Sequence, residues 1–142
     1  MIFIGVDIAK NKHCAVVVDE SGHELSKVFP FDNTEDGFSG FFDLIADCMS
    51  KDAVCVAMEA TGHYWLNLYA FLLDKGVEVH VFNPIQTDAI RRMNIRKTKT
   101  DSIDCKCIAD VVRIGNYSDI RPQSDDIIQL RQLCRFRYGL VD

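Results

Sequence analysis

The sequence predicts an α/β protein with a mixed sheet that carries helices on both faces and is followed by a C-terminal helix. Two continuous apolar runs, residues 2–6 and 53–58, are typical of strands buried on both faces. Elsewhere apolar residues recur three and four positions apart, which is the spacing of a helix with one buried face. A start rich in strands, followed by alternating helices and strands, favours a mixed sheet between layers of helices.

Three strands are predicted near the N-terminus, over residues 2–7, 13–18 and 24–31. The polar segment 19–22 contains Asp, Ser and Gly and is predicted to form the turn between the second and third strands. The three strands are therefore expected to form a meander.

Helices and strands alternate after this meander. Asn33 and Thr34 are good N-caps for a helix whose apolar face includes Phe38. The elements expected next are a strand over 53–58, a helix over 63–75, a strand over 77–82 and a short helix over 84–93. This is the element order of the ribonuclease H-like fold, in which the first and fourth strands lie side by side and present acidic residues from adjacent ends.

The remaining chain is predicted to hold a basic loop over 94–100 and two helices. The first helix runs from near Thr100 to near Gly115, and its expected buried residues are Ile103, Cys107, Val111 and Ile114. The second helix begins after Ser124, and its apolar stripe contains Ile127, Leu130, Leu133, Cys134, Phe136 and Leu140. We expect residues 1–115 to form one domain. Residues 116–142 are then a linker and the start of a long helix that leads to a second domain.

Composition restricts the possible classes of protein. A chain of 142 residues with 48% hydrophobic content can bury one core, and its net charge of −5 disfavours a protein that simply coats nucleic acid. The six cysteines form no CxxC pair, so we expect free thiols and a reducing, cytoplasmic location. No apolar run approaches the ~20 residues of a membrane span, so no membrane association is expected.

Four acidic residues are the candidate functional site. Asp7 and Glu59 end the two buried apolar runs, and Asp101 and Asp104 stand three apart at the start of a helical pattern. Carboxylate oxygens suit Mg²⁺, for which Mn²⁺ is a possible substitute. Each acid alone has an ordinary alternative as a turn, cap or first-turn residue. Convergence of all four at one end of a sheet is a more specific pattern.

A basic run lies directly before the aspartate pair. Its members are Arg91, Arg92, Arg96, Lys97 and Lys99. These side chains are candidates for binding the phosphates of nucleic acid, where Arg and Lys position the backbone. The alternatives are a solvated charged loop, or cations that offset the nearby aspartates.

Three motifs together resemble one protein family. The segments Gly5–Lys10 (GVDIAK), Met58–Gly62 (MEATG) and Lys99–Asp104 (KTDSID) are similar to motifs of the DEDD-type insertion-sequence transposases, which include the Piv-type DNA invertases. The resemblance implies a RuvC-like catalytic domain in which Asp7, Glu59, Asp101 and Asp104 are catalytic and bind metal. It also implies a DNA substrate, a structured guide RNA and a second domain with a participating serine. The apolar stripe of the last helix predicts a partner, either a second copy of the chain in a homo-oligomer or the remaining part of a longer chain. The alternative is that the stripe folds back on its own domain.

Other functions are compatible with parts of the pattern. A Holliday-junction-resolvase-like nuclease would share the carboxylates and cut without strand transfer. A non-catalytic nucleic-acid-binding or assembly domain would not need the acids. An actin-like ATPase is disfavoured, because it requires two copies of the fold and glycine-rich phosphate loops, whereas this chain has 8 glycines and one copy.

Overall fold

The computed structural model describes residues 1–93, 101–115 and 117–120 and positions 125, 126, 129, 132, 133 and 136, and it leaves the side chains of residues 101 and 102 outside this description. Within these residues the elements are β1 (Ile2–Asp7), β2 (Lys12–Val18), β3 (Phe29–Asp32), α1 (Glu35–Met49), β4 (Val54–Glu59), α2 (Leu66–Asp74), β5 (Glu78–Phe82), α3 (Pro84–Met93) and α4 (Asp101–Ile114).

The strands form one sheet in the order β3-β2-β1-β4-β5. β1, β2 and β3 pair in antiparallel fashion, as a meander does. β1 also pairs with β4, and β4 with β5, both in parallel. The predicted mixed sheet, with the first and fourth strands as neighbours, is confirmed.

Each face of the sheet has its own core, because side chains alternate along a strand. One core joins Ile4 and Val56 of the strands to Phe41 of α1 and Leu68 of α2. The other core lies on the opposite face of the sheet. It joins Phe3, and the other strand side chains that point to that face, to the helix α4. Helices therefore cover both faces, as the sequence predicts.

Glycine at position 5 allows α4 to lie directly on β1. A Cβ atom at Gly5 would lie 1.9 Å from the carbonyl oxygen of Cys105 and 2.8 Å from the backbone nitrogen of Ala109. No side chain fits in that space, so the backbones of β1 and α4 touch. This contact holds the first turns of α4 near the C-terminal end of β1.

The third strand is shorter than predicted. The sequence predicts a strand over 24–31, but β3 covers Phe29–Asp32, and Glu24 forms only an isolated bridge with Val18. The hydroxyl of Ser26 accepts a hydrogen bond from the backbone nitrogen of Val17 at 3.0 Å. The Ser26 side chain thus occupies the backbone N–H of Val17, which a longer third strand would need for its next hydrogen bond to β2. Serine side chains compete with regular secondary structure in this way.

Two helices also differ in detail from prediction. α2 begins at Leu66 and not at residue 63, because residues 62–65 form turns and no side chain caps the helix start. In α4, Ile114 is 57% exposed, although it was predicted to be buried. The buried surface instead includes Ile108 and Ala109, because α4 packs against α3 as well as the sheet.

The segment 117–120 follows the outer edge of the sheet without regular structure. The backbone nitrogen of Ile120 donates to the carbonyl of Val81 at 2.7 Å. Every described position from 125 onward is helical, which agrees with a helix after Ser124. The predicted loop 94–100 and the stripe residues Ile127, Leu130, Cys134 and Leu140 lie outside the described residues. None of the described helices has the length and apolar character that a membrane crossing requires.

Candidate metal centre

Asp7 and Glu59 lie at neighbouring strand ends. β1 and β4 run parallel with Val6 opposite Met58, so the next residue of each strand stands at the same edge of the sheet. Gly5 and Ala57, two positions earlier, face α4. Since side chains alternate along a strand, Asp7 and Glu59 belong to that same face.

Helix α4 brings a third acid to this edge. Asp104 precedes Cys105, whose backbone touches Gly5, and the side chain of Asp104 is buried. Glu59 is buried as well, whereas Asp7 is half-buried. Buried carboxylates are rare unless they are paired or bind a cation.

The guanidinium of Arg91 lies among these acids. Its Nε is 2.9 Å from Oδ1 of Asp104, and one terminal nitrogen is 3.6 Å from Oε1 of Glu59. Its other terminal nitrogen donates a hydrogen bond to Asp88 at 2.7 Å. Arg91 therefore supplies positive charge inside the acidic group, which matches the alternative that a cation of the basic run offsets the nearby aspartates. Its contact with phosphate stays a prediction.

The carboxylate oxygens that face Arg91 have electrostatic but not hydrogen-bonding partners. Oε1 of Glu59 and Oδ1 of Asp104 are buried and make no hydrogen bond, and the 2.9 Å contact of Asp104 with Arg91 is thus an ion pair only. Burial raises the pKa of Glu59, the nearby Asp7 and Asp88 raise it further, and Thr87 and Arg91 oppose this. A metal ion would have to displace the Arg91 guanidinium from these oxygens in order to bind them.

The donor set fits a hard divalent ion. Asp7, Glu59 and Asp104 offer only carboxylate oxygens, which are the ligands that Mg²⁺ and Mn²⁺ prefer. Among the described residues, only Cys55, Glu78 and His80 bring three possible ligand atoms within 4.8 Å of one another. The three acids are therefore more widely spaced, and they would have to move together to share one ion.

The other predicted site residues are only partly described. Asp101 is the first residue of α4, and its side chain lies outside the described residues. Arg92 is exposed in the last turn of α3. Arg96, Lys97 and Lys99 lie outside the described residues, so their binding of nucleic acid stays a prediction.

Two features of this region are less evident from the sequence. Charge offset by the basic run is an open alternative there, but only Asp88, three residues before Arg91 on the same helix, points to Arg91 for that role. Thr87 is fully buried beside Glu59, and an isolated threonine in a polar helix carries no signal of that kind.

Solved structures with a similar fold include RuvC of Thermus thermophilus. One RuvC structure, in complex with a Holliday junction substrate, has a TM-score of 0.55 and 13% identity, and the match covers 84% of this chain and 99% of that chain. A second RuvC structure has a TM-score of 0.54 and 14% identity over 84% of this chain and 100% of that one. This likeness confirms the ribonuclease H-like, RuvC-like fold.

Relatives by sequence include the pilin gene-inverting proteins of Moraxella bovis and Moraxella lacunata, each 29% identical over 136 residues. The match covers 95% of this chain and 41% of each relative, so the chain spans about two fifths of their length. The IS110-type DEDD family, described as transposase, matches residues 4–142. Because that match covers nearly the whole chain, this protein belongs to the IS110-type DEDD transposase family.

Proposed function

We propose that this chain is the metal-dependent catalytic domain of a DNA transposase or invertase, which cleaves DNA and transfers the cleaved strand. The observation that carries the proposal is the placement of Asp7 and Glu59 at paired strand ends, with Asp104 brought beside them by α4. Membership of a transposase family and similarity to pilin gene-inverting proteins support the same chemistry.

Each acid has a proposed role. Asp7, at the end of the central strand, is the central metal ligand, and Glu59 and Asp104 complete the ligand set. Asp101 binds a second ion or orients the attacking group. Bound Mg²⁺ would neutralise the phosphate and make the attacking hydroxyl or water more acidic.

The protein residues contribute position and charge. The sheet fixes Asp7 and Glu59 through their strand pairing, and the contact at Gly5 fixes α4 against the same edge. Arg91 offsets the repulsion between buried carboxylates while no phosphate is present. Rigid elements of this kind suit a reaction that depends on in-line placement of oxygens around a phosphate.

Metal binding to a pair of matched variants tests the proposal. Asp104→Asn removes a proposed ligand, whereas Asp110→Asn removes another buried aspartate of α4 that is paired with Arg113 at 2.8 Å. In calorimetric titrations with Mn²⁺, we expect Asp104→Asn to weaken binding at least about tenfold, as loss of a ligand does. Asp110→Asn should bind as the unmodified chain does. Equal binding by all three proteins would contradict the proposal.

The partners proposed for this domain are DNA, a structured guide RNA and a second copy of the chain through its C-terminal helix. Because the chain spans about two fifths of its relatives, we propose that strand exchange also requires a second domain. In that arrangement residues 1–115 form the catalytic domain and residues 116–142 lead onward from it.

A resolvase-like nuclease is a second candidate function, favoured by the RuvC fold. Both functions predict that Mg²⁺ and Asp7 are needed for cutting. They differ in the product, because a nuclease leaves cut ends and a transposase joins strands from two molecules. Denaturing gels of two differently labelled DNA substrates would reveal a strand that carries both labels only if the protein is a transposase.

A further inference from the structure

A second group of possible metal ligands lies on the same face of the sheet, at the other end of β4. Cys55 on β4 is the register partner of Glu78 on β5, and His80 lies two residues beyond Glu78. All three side chains therefore project from one face. Cys55 and Glu59 are four positions apart, which corresponds to roughly 13 Å along a strand.

The three side chains converge on one point. The sulfur of Cys55, a carboxylate oxygen of Glu78 and a ring nitrogen of His80 lie within 4.8 Å of one another. Oε1 of Glu78 is 2.8 Å from Nε2 of His80. Cys55 is buried, and Glu78 is exposed, so the group has a protected side and a side open to solvent.

The other nitrogen of His80 is held from outside this group. Nδ1 of His80 lies 2.8 Å from Oδ2 of Asp119 and 3.1 Å from the hydroxyl of Tyr117. An Nδ1–H that donates to a carboxylate leaves the lone pair of Nε2, which faces Glu78, free to bind a metal ion. Metal-binding histidines are commonly oriented by a carboxylate in this way.

We propose that Cys55, Glu78 and His80 bind a zinc-type divalent ion, at a site separate from the acids Asp7, Glu59 and Asp104. A thiolate, an imidazole and a carboxylate are a typical donor set for Zn²⁺, whereas Mg²⁺ avoids sulfur. Three protein ligands leave a fourth position for water or another group. Asp119 is a positioning residue that acts through His80.

Binding exchanges protons for the metal ion. The thiol of Cys55 loses its proton, and so does Nε2 of any His80 that is protonated between Glu78 and Asp119. Burial raises the pKa of Cys55 to about 12, so the thiol is protonated at neutral pH until a metal ion displaces the proton. Affinity therefore rises with pH, as it does for other thiolate sites.

The ion would join two strands directly and a third part of the chain through His80. Cys55 belongs to β4, Glu78 and His80 to β5, and Asp119 to the segment that follows the edge of β5. We expect Zn²⁺ at one hundred times its Kd to raise the midpoint of thermal unfolding by roughly 5–10 °C.

Cobalt spectroscopy is the direct test, because a thiolate bound to Co²⁺ gives an intense ultraviolet charge-transfer band that oxygen ligands do not give. Chain freed of metal with a chelator is titrated with Co²⁺ and then with Zn²⁺. We expect the band to appear with Co²⁺ and to vanish as Zn²⁺ displaces it. Cys55→Ala should abolish the band, and Glu78→Gln, at an exposed position, should weaken binding at least about tenfold.

Two controls separate this site from the acidic one and from other thiols. Asp7→Asn should retain the cobalt band. Cys48→Ala removes a cysteine packed against the core on the other face of the sheet, and it should also retain the band.

The positioning role of Asp119 is tested by Asp119→Asn, which should weaken binding by about tenfold to a hundredfold while the band persists. Absence of the band in the folded chain, or its persistence in Cys55→Ala, would overturn the proposal. These measurements do not depend on DNA cleavage, so they test the zinc-type site independently of the proposed catalytic function.

Discussion

Glu59 is a residue at which the proposed metal-binding role and stability oppose each other. The residue is 7% exposed, and burial raises its pKa above the ordinary value of 4.5. The folded chain therefore holds the Glu59 proton to a higher pH than the unfolded chain does. Stability then falls as pH rises from 4.5 through the raised pKa, and above that the charged carboxylate lowers the free energy of unfolding by a constant amount.

Replacing this carboxylate should stabilise the protein. We expect Glu59→Gln to raise the free energy of unfolding at neutral pH, because the amide carries no charge and Arg91 keeps its contacts with Asp88 and Asp104. The gain should disappear below pH 4.5, where Glu59 is protonated in both states. Urea unfolding at several pH values measures this difference, and a variant less stable than the unmodified chain at neutral pH would contradict it. Mn²⁺ affinity should fall in the same variant.

Arg91 and a divalent cation should compete for the same carboxylates. Arg91→Gln removes the guanidinium that lies 2.9 Å from Asp104 and 3.6 Å from Glu59, so we expect Mn²⁺ affinity to rise about tenfold. Arg92→Gln changes the net charge equally at an exposed neighbouring position, and it should alter affinity little. Calorimetry on both variants decides the matter. Weaker Mn²⁺ binding by Arg91→Gln would mean that Arg91 supports the site.

The position of the acidic residues depends on the contact between β1 and α4 at Gly5. Gly5→Ala would place a Cβ 1.9 Å from the Cys105 carbonyl, so we expect a loss of about 3 kcal/mol or more in the free energy of unfolding. Gly40→Ala is the matched control, because an added Cβ there meets nothing within 4 Å on the exposed side of α1. That change should stabilise the chain by about 0.5–1 kcal/mol. Chemical denaturation of both variants is the measurement, and similar stabilities would show that α4 does not depend on Gly5.

Elements whose limits depend on local sequence were predictable. β1 and β4 are apolar runs that stop at an acid, and their ends coincide with Asp7 and Glu59. β3 was not predictable in length, because the hydroxyl of Ser26 takes the hydrogen bond of a neighbouring strand. The direction of Arg91 depends on how α3 packs against α4. Likewise, the group around Cys55 requires the register of β4 with β5, and a shift of one residue would turn its members to opposite faces.

For the whole molecule, charge distribution should limit the proposed binding to DNA. The net charge is −5, and the described cations Arg91 and Arg113 are committed to ion pairs with Asp104 and Asp110. We expect this chain to bind branched DNA only in the non-specific range, with Kd of roughly 10⁻⁶–10⁻⁴ M, and to bind more tightly when Mg²⁺ offsets the acids. Fluorescence anisotropy with and without Mg²⁺ tests this, and Asp7→Asn should lose part of the Mg²⁺ effect. Nanomolar binding in a chelator would contradict the expectation.

Two large apolar side chains of the C-terminal helix are exposed to solvent. Leu133 and Phe136 are 65% and 68% exposed, and large apolar side chains this exposed on one helix are typical of a surface that binds a partner. We expect a dimer through this helix, because a second copy offers the same apolar surface and a two-fold interface is self-complementary. Leu133→Asp should convert the dimer to a monomer in light scattering, whereas Leu25→Asp, at a leucine that is 56% exposed near β2, should leave the mass unchanged. An unmodified chain that is monomeric at high concentration would exclude this interface, and the exposed side chains would then require a different partner.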